Sequence, residues 1–156
     1  MKSTPVSLQD CSSAMLSVRD AMTEVVVAVR PNAMVEEALE RMLHHHVSGL
    51  PVTEEDGRLV GVLTEYDVLQ LYRLSDDQYH PFEPCGHYMT TDVMAISPAA
   101  TLEDATTILL QTHVRRLMVV DDESKLVGVL SRRDVARCLR DTRLVQSQLP
   151  WSPPEV

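Results

Sequence analysis

Apolar positions along this chain switch between two spacings. Val25 to Val29 is a short valine-rich run closed by Pro31, the pattern of a strand leading into a turn. From Val35 the spacing widens. Val35, Ala38, Leu39, Met42 and Leu43 fall at helical intervals, with Glu36, Glu37, Glu40 and Arg41 mostly on the other side, which predicts an amphipathic helix. Two compact apolar runs follow, Leu50 to Thr53 and Leu59 to Leu63. The polar turn Glu54-Glu55-Asp56-Gly57 lies between them, so they read as a hairpin. Thr64 then passes directly into Glu65 to Tyr72, a second helical pattern with Val68, Leu71 and Tyr72 on one face.

The same succession recurs 67 residues later. Met22-Thr23 returns as Met89-Thr90, Pro31 as Pro98, Ala38 as Ala105, His46-Val47 as His113-Val114, and Leu59-Val60-Gly61 as Leu126-Val127-Gly128. Val18 to Arg73 aligns with Cys85 to Arg140 without a gap, at about 20 identities in about 56 positions, which marks an internal duplication. Repeat two carries its hairpin and second helix through Leu117 to Val120, Leu126 to Leu130 and Asp134 to Leu139. Its first helix has a cap candidate in Thr101 followed by Asp104, where repeat one has Met34. Each copy is therefore strand, helix, strand, strand, helix, an α+β unit.

A single copy of about 60 residues would be marginal alone, so the two are expected to share a core. The expected divisions are an N-terminal segment 1–17, a first domain 18–74, a linker 75–84 rich in Pro and Asp, a second domain 85–143, and a tail 144–156 with three prolines. That tail is expected to be poorly ordered unless Trp151 docks.

With 44% hydrophobic and 24% charged residues the composition is that of a globular chain, and 4% aromatics leaves the packing to aliphatic side chains. No apolar run is long enough for a membrane span, and MKSTPVSLQD has no apolar segment behind its lysine, so no signal peptide is expected. Three scattered cysteines, Cys11, Cys85 and Cys138, provide neither a disulfide framework nor a C-x-x-C metal site, and point to a reducing, cytoplasmic setting. The formal charge of −9 argues against nucleic acid as the main partner.

Each repeat closes on a small polar motif, GVLTEYD at Gly61 to Asp67 and GVLSRRD at Gly128 to Asp134. Taken singly, Thr64-x-x-Asp67 and Ser131-x-x-Asp134 have the form of helix N-caps, and Gly61 and Gly128 could be bulges. A hydroxyl and a carboxylate at a strand-to-helix junction also place acceptors beside free N–H groups, an arrangement suited to a ribose diol and its phosphate. Capping and binding need not exclude each other.

The five-element repeat, the strands Leu50-Pro51-Val52 and Leu117-Met118-Val119, and the closing G-h-h-[ST]-x-x-D resemble the CBS domain, which occurs as tandem pairs called Bateman modules. The resemblance covers Val18 to about Arg143. It implies two copies packed through their sheets about a pseudo-twofold axis, with two clefts for adenosine ligands: AMP, ADP, ATP or, in some members, S-adenosylmethionine. Carried over by position, Asp67 and Asp134 would hold ribose, Thr64 and Ser131 ribose or phosphate, and the backbone following Thr23 and Thr90 the adenine edge. Basic residues before the LPV-like strand would meet phosphate. Repeat two has Arg115-Arg116 there and repeat one Ser48-Gly49, and only repeat two carries Arg132-Arg133 in its closing motif. Unequal clefts are thus expected, the one built on Asp134 taking the more anionic ligand. Arg132 and Arg133 have a solvated helix face as their alternative, and Arg115 and Arg116 could reach across a dimer.

Other chemistry is thin. His44, His45 and His46 are consecutive on a helix and cannot converge on one metal ion. No cysteine has a His and an acid arranged around it, so no enzyme is expected, and no cofactor beyond a regulatory adenine nucleotide. The resulting expectation is a regulatory module that senses nucleotide and signals to an effector protein or through its own oligomer, with a homodimer as the expected assembly. The alternatives are an interaction module with empty clefts and an S-adenosylmethionine binder.

Overall fold

A computed structural model describes residues 16–24, 27–74 and 82–146 of the 156-residue chain. Repeat one comprises α1 (Val18–Ala21), α2 (Val35–His45), β1 (Gly49–Thr53), β2 (Leu59–Thr64) and α3 (Glu65–Leu74). Repeat two comprises a 3₁₀ turn (Cys85–His87), β3 (Ala95–Ile96), α4 (Leu102–Gln111), β4 (Arg116–Val120), β5 (Leu126–Ser131) and α5 (Arg132–Gln146). Cys11, Trp151 and most of the expected linker lie outside the described residues.

Both expected hairpins form. β1 pairs antiparallel with β2 and β4 with β5, each with one register shift, at Val52/Thr53 and Val119/Val120. The opening strand of each repeat is short. In repeat two it is β3, parallel to β4, and in repeat one it is a single parallel bridge from Val29 to Val52, with residues 25–26 outside the described set. Two faces also differ from the periodic reading. Val35, Ala38, Met42, Val68 and Leu71 are buried, but Leu43 and Tyr72 are exposed, because the packed stripe on each helix is narrower than its apolar sequence.

The short helical leads, α1 and the Cys85 turn, carry no periodicity and were not expected. Each packs on the other repeat. Val18, fully buried, joins the core of Leu102, Ala105, Leu109, Leu117, Val119 and Leu130 in repeat two. Cys85, also fully buried, joins Val29, Ala38, Met42, Leu50, Val52 and Leu63 in repeat one. A buried Val is worth about 1.5–3 kcal/mol, so the exchange binds the halves together.

Backbone bonds fix this crossing twice, in the same register. The N–H of Val18 donates to Ala100 O and that of Arg19 to Pro98 O, just as Cys85 donates to Ala33 O and Gly86 to Pro31 O. The first N–H of α4 is accepted by Leu16 O at 2.9 Å, and the first of α2 by Glu83 O at 2.8 Å. In addition, Thr101 Oγ1 accepts from Asp104 N at 3.1 Å, whereas Met34 offers α2 no side-chain bond, as expected from their chemistry.

The hairpin tips complete the pseudo-twofold arrangement. Leu59 N donates to Ser124 O and Leu126 N to Gly57 O, both at 3.0 Å, with an antiparallel bridge between Arg58 and Lys125. Gly57 and Ser124 occupy the same left-handed turn position, at φ 93° and 63°.

Candidate functional site

Each closing motif ends its sheet strand and begins a helix, and its hydroxyl and carboxylate cap that helix reciprocally. Ser131 donates from both its backbone N and its Oγ to Asp134 Oδ2 at 2.8 Å, while Asp134 N donates back to Ser131 Oγ at 3.2 Å. Thr64 and Asp67 repeat the arrangement at 2.8, 2.9 and 3.3 Å. The cap occupies one carboxylate oxygen in each motif and leaves the other for different work.

The second oxygens differ. Asp134 Oδ1 accepts from Thr23 Oγ1 at 3.3 Å and lies 3.5 Å from the Arg137 guanidinium. Asp67 Oδ1 has no side-chain or backbone donor among the described residues. Asp134 is only 8% exposed and Asp67 is half-buried. A carboxylate has about four lone-pair sites, so both retain capacity for a ligand hydroxyl.

The exchanged leads bring Thr23 to the Asp134 motif and Thr90 to the Thr64 motif. Thr23 exchanges two backbone bonds with Val129, and Thr90 exchanges two with Val62. Their own amides and carbonyls are therefore engaged in the sheets. The motif glycines make this approach possible. A Cβ on Gly128 would stand 2.8 Å from Met22 Sδ and 3.0 Å from Thr23 O, and one on Gly61 2.6 Å from Met89 Sδ and 2.9 Å from Thr90 O. The register shifts also fall beside these glycines, since the pairing passes from Gly61 to Leu59 and from Gly128 to Leu126, so each glycine flanks a bulge as well as marking close packing.

Two cavities open at these junctions. The first, about 600 Å³, is lined by Thr23, Ser131, Asp134, Arg116, Arg133 and apolar residues including Val27 and Leu50. The second, about 340 Å³, is lined by Thr64, Thr90, Asp92, Arg115, Arg116 and others including Met94. Both volumes fall in the range of small-molecule sites, roughly 300–1,000 Å³. Asp67 is held behind Thr64 by the cap and does not line the second cavity.

The arginines do not divide as the linear sequence implied. Arg115 precedes and Arg116 opens β4 of repeat two, yet Arg115 lines the cavity of Thr64, and Arg116 lines both. Each cavity thus has two arginines, Arg116 with Arg133 in one and Arg116 with Arg115 in the other, which removes the charge argument for an anion-preferring Asp134 cleft. Among the described residues, the Asp92 carboxylate is the only acidic group lining the second cavity. Arg132 lines neither. Its guanidinium donates to Leu109 O at 3.0 Å, at the C-terminal end of α4.

Contributions from across the axis were not visible in the motifs. His45 and Pro51 of repeat one line the Asp134 cavity, and Val114 of repeat two lines the Thr64 cavity. His44 and His45 meet edge to face with ring centroids 4.9 Å apart, and no group of metal-ligating side chains forms among the described residues. No helix there is long and apolar enough to cross a membrane.

A family model of the CBS domain matches residues 18–73 and again 85–141. CBSX1, a chloroplastic CBS domain-containing protein of Arabidopsis thaliana, is 34% identical over 152 residues, covering 80% of this chain and 64% of CBSX1. The chain thus spans less than two thirds of that relative. The CBS domain-containing protein YhcV of Bacillus subtilis is 36% identical over 122 residues, covering 78% of this chain and 84% of YhcV. Among solved structures, Arabidopsis CBSX2 in complex with AMP superposes with a TM-score of 0.73 at 36% identity, covering 82% of this chain and 98% of CBSX2.

Proposed function

We propose, since this chain belongs to the CBS-domain family and carries the domain twice, that its two cavities bind an adenine nucleotide and that their occupancy is a regulatory signal. The observation that carries this reading is the Asp134 junction. A nearly buried carboxylate with spare acceptor capacity lines a cavity of about 600 Å³ together with two arginines. Ribose hydroxyls are donors that such a carboxylate accepts, and an anionic phosphate needs local positive charge on a chain of net charge −9. The solved complex of CBSX2 with AMP, at 36% identity, supports the same ligand class here.

In this reading Asp134 holds ribose, Ser131 contacts ribose or phosphate, and Arg116 and Arg133 receive phosphate. Thr64, Arg115 and Arg116 do the same in the second cavity, with Asp67 acting through the Thr64 cap. The protein catalyses nothing. It signals through its own assembly, expected to be a homodimer, or to an effector protein in the cytoplasm, and the response is bounded by the difference in nucleotide affinity between its states. Titration calorimetry with AMP, ADP, ATP, S-adenosylmethionine and a short single-stranded RNA tests it. Heat is expected with adenine nucleotides and none with RNA, and silence with every adenosine compound would leave the interaction-module alternative.

A further inference from the structure

Arg116 opens β4 and, among the described residues, is the only charged side chain that lines both cavities. Its counterpart in repeat one is Gly49, which also lines both but has no side chain. One cation therefore stands where a perfect duplication would place two. Arg116 is half-buried, and among the described residues its guanidinium has neither an ion pair nor a hydrogen bond. A partly desolvated guanidinium with five donors and no acceptor favours an anion within reach. By contrast, Arg133 belongs to the first cavity alone and Arg115 to the second.

We propose that Arg116 is a shared phosphate ligand that couples the two cavities antagonistically. The first nucleotide to bind takes the guanidinium, and the second binds with only its local arginine. Repulsion between two phosphates drawn toward one cation acts in the same direction. The coupling is reciprocal, so each nucleotide weakens the other by the same factor whichever arrives first. The device needs a phosphate. Adenosine, which has none, should fill both cavities without it. This inference rests on the proposal that the cavities take adenine nucleotides.

Titration calorimetry of the full chain with AMP and with adenosine separates the possibilities. The wild-type protein is expected to bind two AMP molecules in steps separated by about tenfold or more, and two adenosines without that separation. In Arg116→Gln the first AMP step should weaken more than the second, so that the steps converge, while Arg116→Lys should retain part of the separation. An AMP separation that survives Arg116→Gln, or one that adenosine reproduces, would overturn the coupling and leave merely unequal cavities. If neither compound binds, the nucleotide reading falls and the coupling with it. The comparison of AMP with adenosine uses unaltered protein, so it decides the matter even if a variant misfolds.

Discussion

Thr23 and Asp134, separated by 111 positions in sequence, share a hydrogen bond of 3.3 Å from the threonine hydroxyl to Asp134 Oδ1. Asp134 thereby joins the lead of repeat one to the helix of repeat two, while its other oxygen caps α5. Replacing Asp134 by Ala removes both roles. Stability should fall by about 1 kcal/mol for the cap, and AMP affinity at that cavity by about tenfold or more. Thr101→Ala is the control, since Thr101 caps α4 and lines neither cavity. It should show a similar loss in urea denaturation with affinity unchanged. Equal affinity in both variants would reduce Asp134 to a cap.

The leads approach the sheets through glycine. In Gly128→Ala the new methyl would meet Met22 Sδ and Thr23 O, and in Gly61→Ala it would meet Met89 Sδ and Thr90 O. Overpacking of this kind costs about 1–3 kcal/mol. Each variant should weaken AMP binding at its own cavity, the Asp134 one for Gly128 and the Thr64 one for Gly61. Unaltered stability in both would show that the leads do not seat as closely as described.

Ser124 adopts the left-handed conformation that Gly57 adopts at the equivalent turn. A left-handed residue with a Cβ costs roughly 1–2 kcal/mol, partly offset by the entropy that glycine loses on folding. Ser124→Gly is therefore expected to stabilise the protein by up to about 1 kcal/mol, and Gly57→Ala to destabilise it by a similar amount. Thermal melts of the two variants should move in opposite directions.

Burial pushes the Cys85 thiol up from 9.0 to about 11, with the Glu37 carboxylate adding to the shift. The unfolded chain releases this proton near pH 9 and the folded chain does not until about 11, so the folded state binds more protons in between. The contribution is complete below pH 9 and is lost as pH rises toward 11. Denaturation midpoints of the wild type should fall across that window more steeply than those of Cys85→Ala. At neutral pH, iodoacetamide should modify Cys85 only as fast as the protein opens.

The duplication, both hairpins and the two capping motifs were legible because they rest on local spacing and on residue types with few alternatives. Thr101 and Met34 show how far this reaches, since their hydroxyl and thioether decided in advance which helix would have a side-chain cap. The exchange of leads was not legible. Val18 and Cys85 are single buried residues in short helical turns, with no periodicity to name the partner they pack against. The distribution of arginines failed for the same reason. Arg115 and Arg116 both belong to repeat two in sequence, but Arg115 lines the cavity of Thr64 across the axis and Arg116 lines both cavities. Leu43 and Tyr72 continue an apolar stripe in sequence beyond the width that the neighbouring elements cover.

The reciprocal leads also say something about how such a chain could arise. A polypeptide with one copy would lack the Val18 or Cys85 turn that completes its core, unless a second molecule supplied it. Two such molecules trading leads would close a symmetric pair with no free ends to propagate. Joining the genes of that pair end to end turns an assembly that depends on concentration into one that does not. It also frees each half to change alone, as the arginine at position 116, where the first copy has Gly49, records.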